Sequence, residues 1–228
     1  MVTFYTAVGT YQIMIEDGHK VPYIQKMGKL YPISVPEFVI WSALLWEVMT
    51  YDELKEYYDK LTAQMTPKAA SLDTQLKMLV KRKLIVQGVG YTGRDALYNM
   101  LSDAFVIPYR VPGGRKALSI LQLWLKGEIS IGDVGSLVKN LKSGSPEEKR
   151  ILNLVEQAPL STAELVKCFD LDVHDVSTPQ KIIEAIYPED DSDQTQIVAE
   201  ELQSDHMSQV LQAVANLYLS HRVVLETH

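Results

Sequence analysis

Apolar positions recur at helical spacing in four short stretches of the chain, and each stretch opens on the same local signal. A Ser followed three residues later by Glu, or a Thr in the same place, forms a capping box when an apolar run comes next. The hydroxyl and the carboxylate then each satisfy a backbone amide that a helix start leaves unpaired. The pattern stands at Ser34–Glu37, Thr50–Glu53, Ser145–Glu148 and Ser161–Glu164. The two pairs superpose at an offset of 111 residues (34 to 145, 50 to 161), where Ile40 meets Ile151, Leu44 meets Val155, Met49 meets Leu160 and Leu54 meets Leu165. Matching caps and matching apolar positions predict a divergent repeat of two short helices joined by a tight turn.

A third helix is expected after each pair. In the first copy "TPKAASLDTQLKMLVKRK" offers Thr66 as cap and Pro67 at the first helical position, where its missing amide costs nothing. Leu72, Leu76, Leu79 and Val80 mark one buried stripe, leaving Ser71, Thr74, Gln75, Lys77, Met78 and Lys81 on the opposite face. The stretch that follows, "KLIVQGVGYTGRDALYNML", predicts a strand over 84–87, a glycine-rich tip around Gly88, Gly90 and Gly93, and a closing helix from about Asp95. In the second copy the third helix falls in "SDHMSQVLQAVANLYLSHR" after an inserted stretch, with Val210, Val214, Leu217 and Leu219 as its apolar face and a nearly uncharged remainder. Ahead of the repeat, the alternation in "TFYTAVGTYQIMIEDGHKVPYIQKMGKLYPI" predicts a β-hairpin turning at "EDGHK". Between the copies a Pro-Gly-Gly break leads into two helical patterns, "RKALSILQLWLK" and "SIGDVGSLVKNL", with Trp124 in an apolar cluster too wide for one stripe. The expected class is α+β and mainly helical. Residues 1–102 form one unit, 103–144 a helical connector buried between domains or against another chain, and 145–228 a second unit.

Helix, helix, a third helix carrying "L-x-x-L-V-x-R-x-L-I" and then a glycine-tipped hairpin is an order similar to that of the winged helix-turn-helix family, over about residues 34–101. The resemblance implies that the third helix enters the major groove of DNA and that the hairpin, the wing, touches phosphate or the minor groove. By that resemblance Ser71, Thr74, Gln75 and Lys77 face bases, and Lys81 and Arg94 face the backbone. The second copy has only "RVVLE" after its third helix, so a wing there lacks its return strand. Winged helices also dock proteins, so the fold alone does not choose between the two uses.

Charge sharpens the choice. The chain carries a net charge of -7, distributed as +1 over residues 1–102 (11 basic, 10 acidic), +3 over 103–145 (6 and 3) and -11 over 146–228 (5 and 16). Residues 66–94 run the other way, with Lys68, Lys77, Lys81, Arg82, Lys83 and Arg94 against Asp73 alone, a local +5. Such a concentration suits phosphate neutralisation with counterion release. The plainer reading is that "KRK" solvates a helix end and opposes its dipole. Two function classes therefore stand: a DNA-binding transcriptional regulator using Lys68, Ser71, Thr74, Gln75, Lys77, Lys81 and Arg94, or a non-catalytic adaptor or structural protein whose tandem winged helices bind protein only. In either case the acidic unit at 145–228 is expected to form a homodimer or hold a protein partner, with Val210 to Leu219 as the pairing helix.

Enzymatic readings find little support. The five histidines show no ligand spacing with one another or with Cys168, which lies on the apolar side of "AELVKCF". "GVGYTGRD" has neither the Gly-Lys-Ser/Thr ending of a P-loop nor the dinucleotide-binding spacing, and "PEDDSD" reads as a solvated acidic loop. No catalytic residue, metal or cofactor is expected. Without a run of some 18 apolar residues or a signal-peptide pattern, and with one cysteine that excludes an internal disulfide, the expected place is the cytoplasm and not a membrane.

Overall fold

In the computed structural model, which describes residues 1–63, 70–109, 144–187 and 206–228, the N-terminal alternation becomes four strands and not a single hairpin. Strands β2 (Thr10–Glu16), β3 (His19–Lys26) and β4 (Lys29–Pro32) form an antiparallel meander in that order. The expected "EDGHK" turn is the two-residue loop Asp17–Gly18, with φ of 49° and 78°. Asp tolerates that left-handed backbone and Gly adopts it freely, which matches the twist of the flanking strands. Strand β1 (Val2–Ala7) leaves the meander and pairs elsewhere.

Three helices follow: α1 (Val35–Leu44), α2 (Tyr51–Thr62) and α3 (Leu72–Lys81). Both capping boxes of the first copy are complete, with the Glu37 carboxylate 2.8 Å from the Ser34 amide and the Glu53 carboxylate 2.8 Å from the Thr50 amide. Helix α3 begins at Leu72 with Ser71 as its cap, while the expected cap Thr66 and Pro67 lie outside the described residues. Ile24, Ile40, Trp41, Leu44, Leu54, Leu76, Leu79 and Leu84 close the first core.

Strand β5 (Ile85–Gly90) does not turn back on itself. It pairs antiparallel with β1, from Val2 opposite Gly90 to Ala7 opposite Ile85, and the chain then enters α4 (Gly93–Leu101). The expected glycine-tipped wing is therefore corrected. Gly88 and Gly90 let α4 lie directly on the strand, since a Cβ at Gly88 would sit 2.0 Å from the Ala96 carbonyl oxygen and one at Gly90 would sit 2.3 Å from the Ala96 nitrogen. Glycine here serves close approach rather than a turn.

Strand β6 (Phe105–Pro108) lies where a helical connector was expected. The two connector helix patterns and Trp124 lie outside the described residues, as does the acidic "PEDDSD". The second unit continues with α5 (Pro146–Gln157), β7 (Leu160–Ser161), α6 (Thr162–Asp170), α7 (Pro179–Ile186), α8 (Met207–Leu219) and β8 (Val223–Glu226). Its sheet has the order β7–β6–β8, so β8 pairs with a strand that precedes the unit instead of lacking a partner. The first unit repeats this arrangement: Met49 bridges Tyr5 on β1, which pairs with β5, just as Leu160 on β7 faces Val106 on β6, which pairs with β8. The third helices also end alike, with Leu84 N–H donating to Leu79 and Arg222 N–H to Leu217, and with Lys83 at φ 54° and His221 at φ 60°.

The second core contains Ile151, Leu154, Leu160, Leu165, Cys168, Val210, Val214, Leu217 and Leu225, and it extends to Tyr98, Met100, Leu101 and Ala104 around α4. Val210, Val214 and Leu217 are thus consumed inside the chain, packed with α5, α6 and α4. This corrects the expectation that the α8 stripe pairs two copies; of its four residues only Leu219 is exposed. No described helix is long and apolar enough to cross a membrane.

Candidate interaction face

Helix α3 is held at its start by side chains that sequence reading assigned to ligand. The Ser71 hydroxyl caps it, accepting from the Thr74 amide at 3.4 Å, and the Ser71 and Thr74 oxygens lie 2.9 Å apart. The Tyr51 hydroxyl donates to Asp73 at 3.0 Å, a bond that raises the phenol's pKa, and the Tyr58 hydroxyl donates to the Ala70 carbonyl at 2.8 Å. Leu72, Leu76 and Leu79 turn inward as expected, and the solvent face carries Asp73, Thr74, Lys77, Met78 and Lys81 with Gln75 half-buried.

Arg82, Lys83 and Arg94 do not join that face. Arg82 pairs with Glu37 at 3.2 Å and also donates to the Pro32 carbonyl, tying the end of α3 to the start of α1. Lys83 occupies the left-handed residue that ends α3, and its carbonyl accepts from Thr227 at 3.4 Å. Lys83 lies near Lys26 of β3, whose ammonium pKa is lowered first by burial and then by Lys83, against the opposing pull of Glu226. Burial in turn raises the Glu226 carboxyl, which accepts from the Met27 amide at 2.9 Å. Arg94 is exposed in the first turn of α4, across the β1–β5 ribbon from the first core. Lys68 lies outside the described residues. The five described basic residues of this stretch are dispersed by the fold.

Helix α2 lies beside α3 and adds Asp52, Glu53, Glu56 and Asp59 against Lys55 and Lys60, all exposed, with Lys55 paired to Asp59. Together α2 and α3 carry five acidic residues (Asp52, Glu53, Glu56, Asp59, Asp73) and four basic ones (Lys55, Lys60, Lys77, Lys81), a net -1. The matching helix of the second unit, α8, exposes Ser208, Gln209, Gln212 and Asn216, uncharged as the sequence indicated.

Sequence reading missed the feature that joins the two units. The Tyr218 hydroxyl on α8 accepts from the Trp46 amide at 2.8 Å and from the Thr6 hydroxyl at 3.0 Å, and it lies 3.1 Å from the Leu44 carbonyl and 3.2 Å from that of Ala7. Nothing local marks Tyr218 for this role. The start of α4 was legible in principle, because Thr92 and Asp95 form a complete capping box with Asp in place of Glu.

A cleft of about 760 Å³ separates the units, lined by Lys83, Asn99, Asp103, Glu164, Lys167 and Tyr187 among others. Its charges are already matched in part: Glu164 accepts from the Ser161 amide at 2.7 Å and from the Tyr187 hydroxyl at 3.0 Å, and Lys167 lies over the Tyr187 ring. Cys168 is fully buried and its thiol pKa is pushed up to about 11, chiefly by burial, so it is a core residue without nucleophile character. Among the described residues no group of three or more His, Cys, Asp or Glu is arranged to hold a metal ion. No family model, curated protein or solved structure matches the chain.

Proposed function

We propose that the chain is a non-catalytic docking protein built from two winged-helix-like units, with protein rather than duplex DNA as its partner. The net charge of -1 over α2 and α3 carries this reading, because those are the helices a helix-turn-helix lays against DNA. Only Lys77 and Lys81 stand on the solvent face of α3 free of an opposing cap or ion pair. Two phosphate contacts give a log-log salt slope of about -1.8, far below that of proteins which grip DNA with six to ten contacts. The segment 146–228, at -11, adds repulsion from a phosphate backbone.

The regulator reading keeps one specific support: Thr74, Lys77 and Lys81 do share one exposed helix face, with Gln75 at its edge. Selection from a random duplex library separates the two. The docking reading expects no enriched sequence, and enrichment of a motif that the Lys77→Ala variant no longer selects would return α3 to the major groove.

A further inference from the structure

Strand β2 is the edge of the β2–β3–β4 sheet among the described residues, and it lacks the usual protections of an edge. It holds no Lys, no Pro and no bulge: the register runs without a slip from Thr10 opposite Gln25 to Glu16 opposite His19. Four of its six exposed residues are apolar: Tyr11 at 49%, whose ring also packs edge-on against Phe38 and Trp41, Ile13 at 54%, Met14 at 39% and Ile15 at 75%. A natural edge strand with this composition is a template for another strand.

The backbone points the same way. The residues flanking a two-residue hairpin loop exchange hydrogen bonds, so Glu16 and His19 form a bonded pair, and the pattern alternates back along the strand. Met14, Gln12 and Thr10 therefore bond to β3. Ile15, Ile13 and Tyr11 turn their N–H and C=O groups outward, and Pro22 opposite Ile13 fits this, having no N–H to give. The three residues whose backbone groups have no partner among the described residues are also the three exposed apolar residues that share one face.

We propose that β2 pairs antiparallel with β2 of a second copy of this chain, across a two-fold axis at Ile13, to form one six-stranded sheet. The strand is self-complementary in that register. Ile13 lies opposite Ile13 of the other copy and Tyr11 opposite Ile15, so all three outward-facing residues find outward-facing partners on the same face. Glu16, the only charge in β2, meets Thr10. A parallel pair would instead set the two Glu16 carboxylates side by side. A groove beside the first half of the strand, between Thr10–Ile13 and Leu45, Trp46 and Tyr109, leaves room for an incoming backbone. The pairing uses β2 alone and does not depend on whether α3 meets protein or DNA.

A seven-residue strand buries less than the roughly 800 Å² per partner of a standard interface, so the dimer should dissociate on dilution. Sedimentation velocity of the full chain over a range of concentrations, with hydrogen exchange on the same samples, tests this. The expected result is a monomer–dimer equilibrium in which the Tyr11, Ile13 and Ile15 amides slow as the dimer fills, and its loss in Ile13→Lys and Ile15→Lys, both at exposed positions that the monomer does not need. The register has its own test, because Ile13→Cys should oxidise to a cross-linked dimer faster than Ile15→Cys, while Cys168 stays buried. A monomer at every concentration, a dimer that both lysine variants leave intact, or slow Tyr11, Ile13 and Ile15 amides in a monomer would each overturn the proposal, the last by showing the edge covered from within the chain.

Discussion

Replacing Tyr218 by Phe removes one oxygen from the junction of the two units and leaves the ring in place. Tyr218 is 2% exposed, and Ala7 and Leu44, whose carbonyls flank its hydroxyl, are equally buried. Without the hydroxyl the Trp46 amide loses its acceptor and the Ala7 carbonyl its donor, while the Leu44 carbonyl keeps the Glu47 amide at 3.2 Å and Thr6 can still donate to the Glu47 carbonyl at 2.7 Å. A buried polar group left unpaired costs about 1–3 kcal/mol, so two orphans, one of them only partly buried, should cost about 2–4 kcal/mol. In a chain of this size that lowers the melting temperature by roughly 4–16 °C. Alkaline pH provides an independent check. Burial pushes the Tyr218 hydroxyl from 10.0 up to about 12. The unfolded state then loses its proton first, so stability is complete below pH 10 and falls as the pH rises to about 12, by about 3 kcal/mol. Urea unfolding of wild type and Tyr218→Phe at pH 7 to 12 should show a gap that narrows on the alkaline side. A loss below about 0.5 kcal/mol at pH 7, the level of an ordinary surface change, with parallel alkaline limbs would refute the reasoning.

Gly88→Ala should destabilise by more than about 2 kcal/mol in thermal unfolding, because its methyl group would meet backbone atoms of α4 at 2.0 and 2.5 Å; at a solvent-exposed tip the same change would be near neutral. Arg82→Ala should cost about 1–3 kcal/mol by removing the cation beside the buried Glu37 carboxylate, whereas Lys77→Ala should stay within about 0.5 kcal/mol. Cys168 should resist a thiol reagent at neutral pH until the protein unfolds, so its modification rate should track the denaturation curve measured by circular dichroism.

What the sequence disclosed was local. Ser34, Thr50, Ser145 and Ser161 each cap a helix as read, because a capping box needs only four consecutive residues; at Ser145 only the hydroxyl half forms, since the Glu148 carboxylate turns to Arg222 and Asn216 instead. Ile40, Leu44 and Leu54 are buried, as are Ile151, Val155 and Leu165, so the apolar correspondence between the copies also persisted. The misreadings all concern partners distant in sequence. Gly88 and Gly90 suit a turn tip and a close helix approach equally well, and only the pairing of β5 with β1 decides between them. In "RVVLE" nothing indicates that its partner strand lies at Phe105–Pro108. The basic run is split for the same reason: Arg82 and Lys83 adjoin Lys81 in sequence, but the end of α3 turns one toward Glu37 and the other toward Lys26. The exposed apolar residues of β2 were visible as alternation, yet their exposure was not, since an alternating strand is normally half-buried.

The central claim is that the face formed by α2 and α3 is too nearly neutral to hold duplex DNA. Fluorescence anisotropy of a labelled duplex titrated with the full chain at about 50 and 200 mM salt measures this directly. The account predicts no saturable binding at micromolar protein at either salt concentration. Saturable binding at low salt that weakens steeply at the higher concentration, and that Lys77→Ala with Lys81→Ala abolishes, would contradict it.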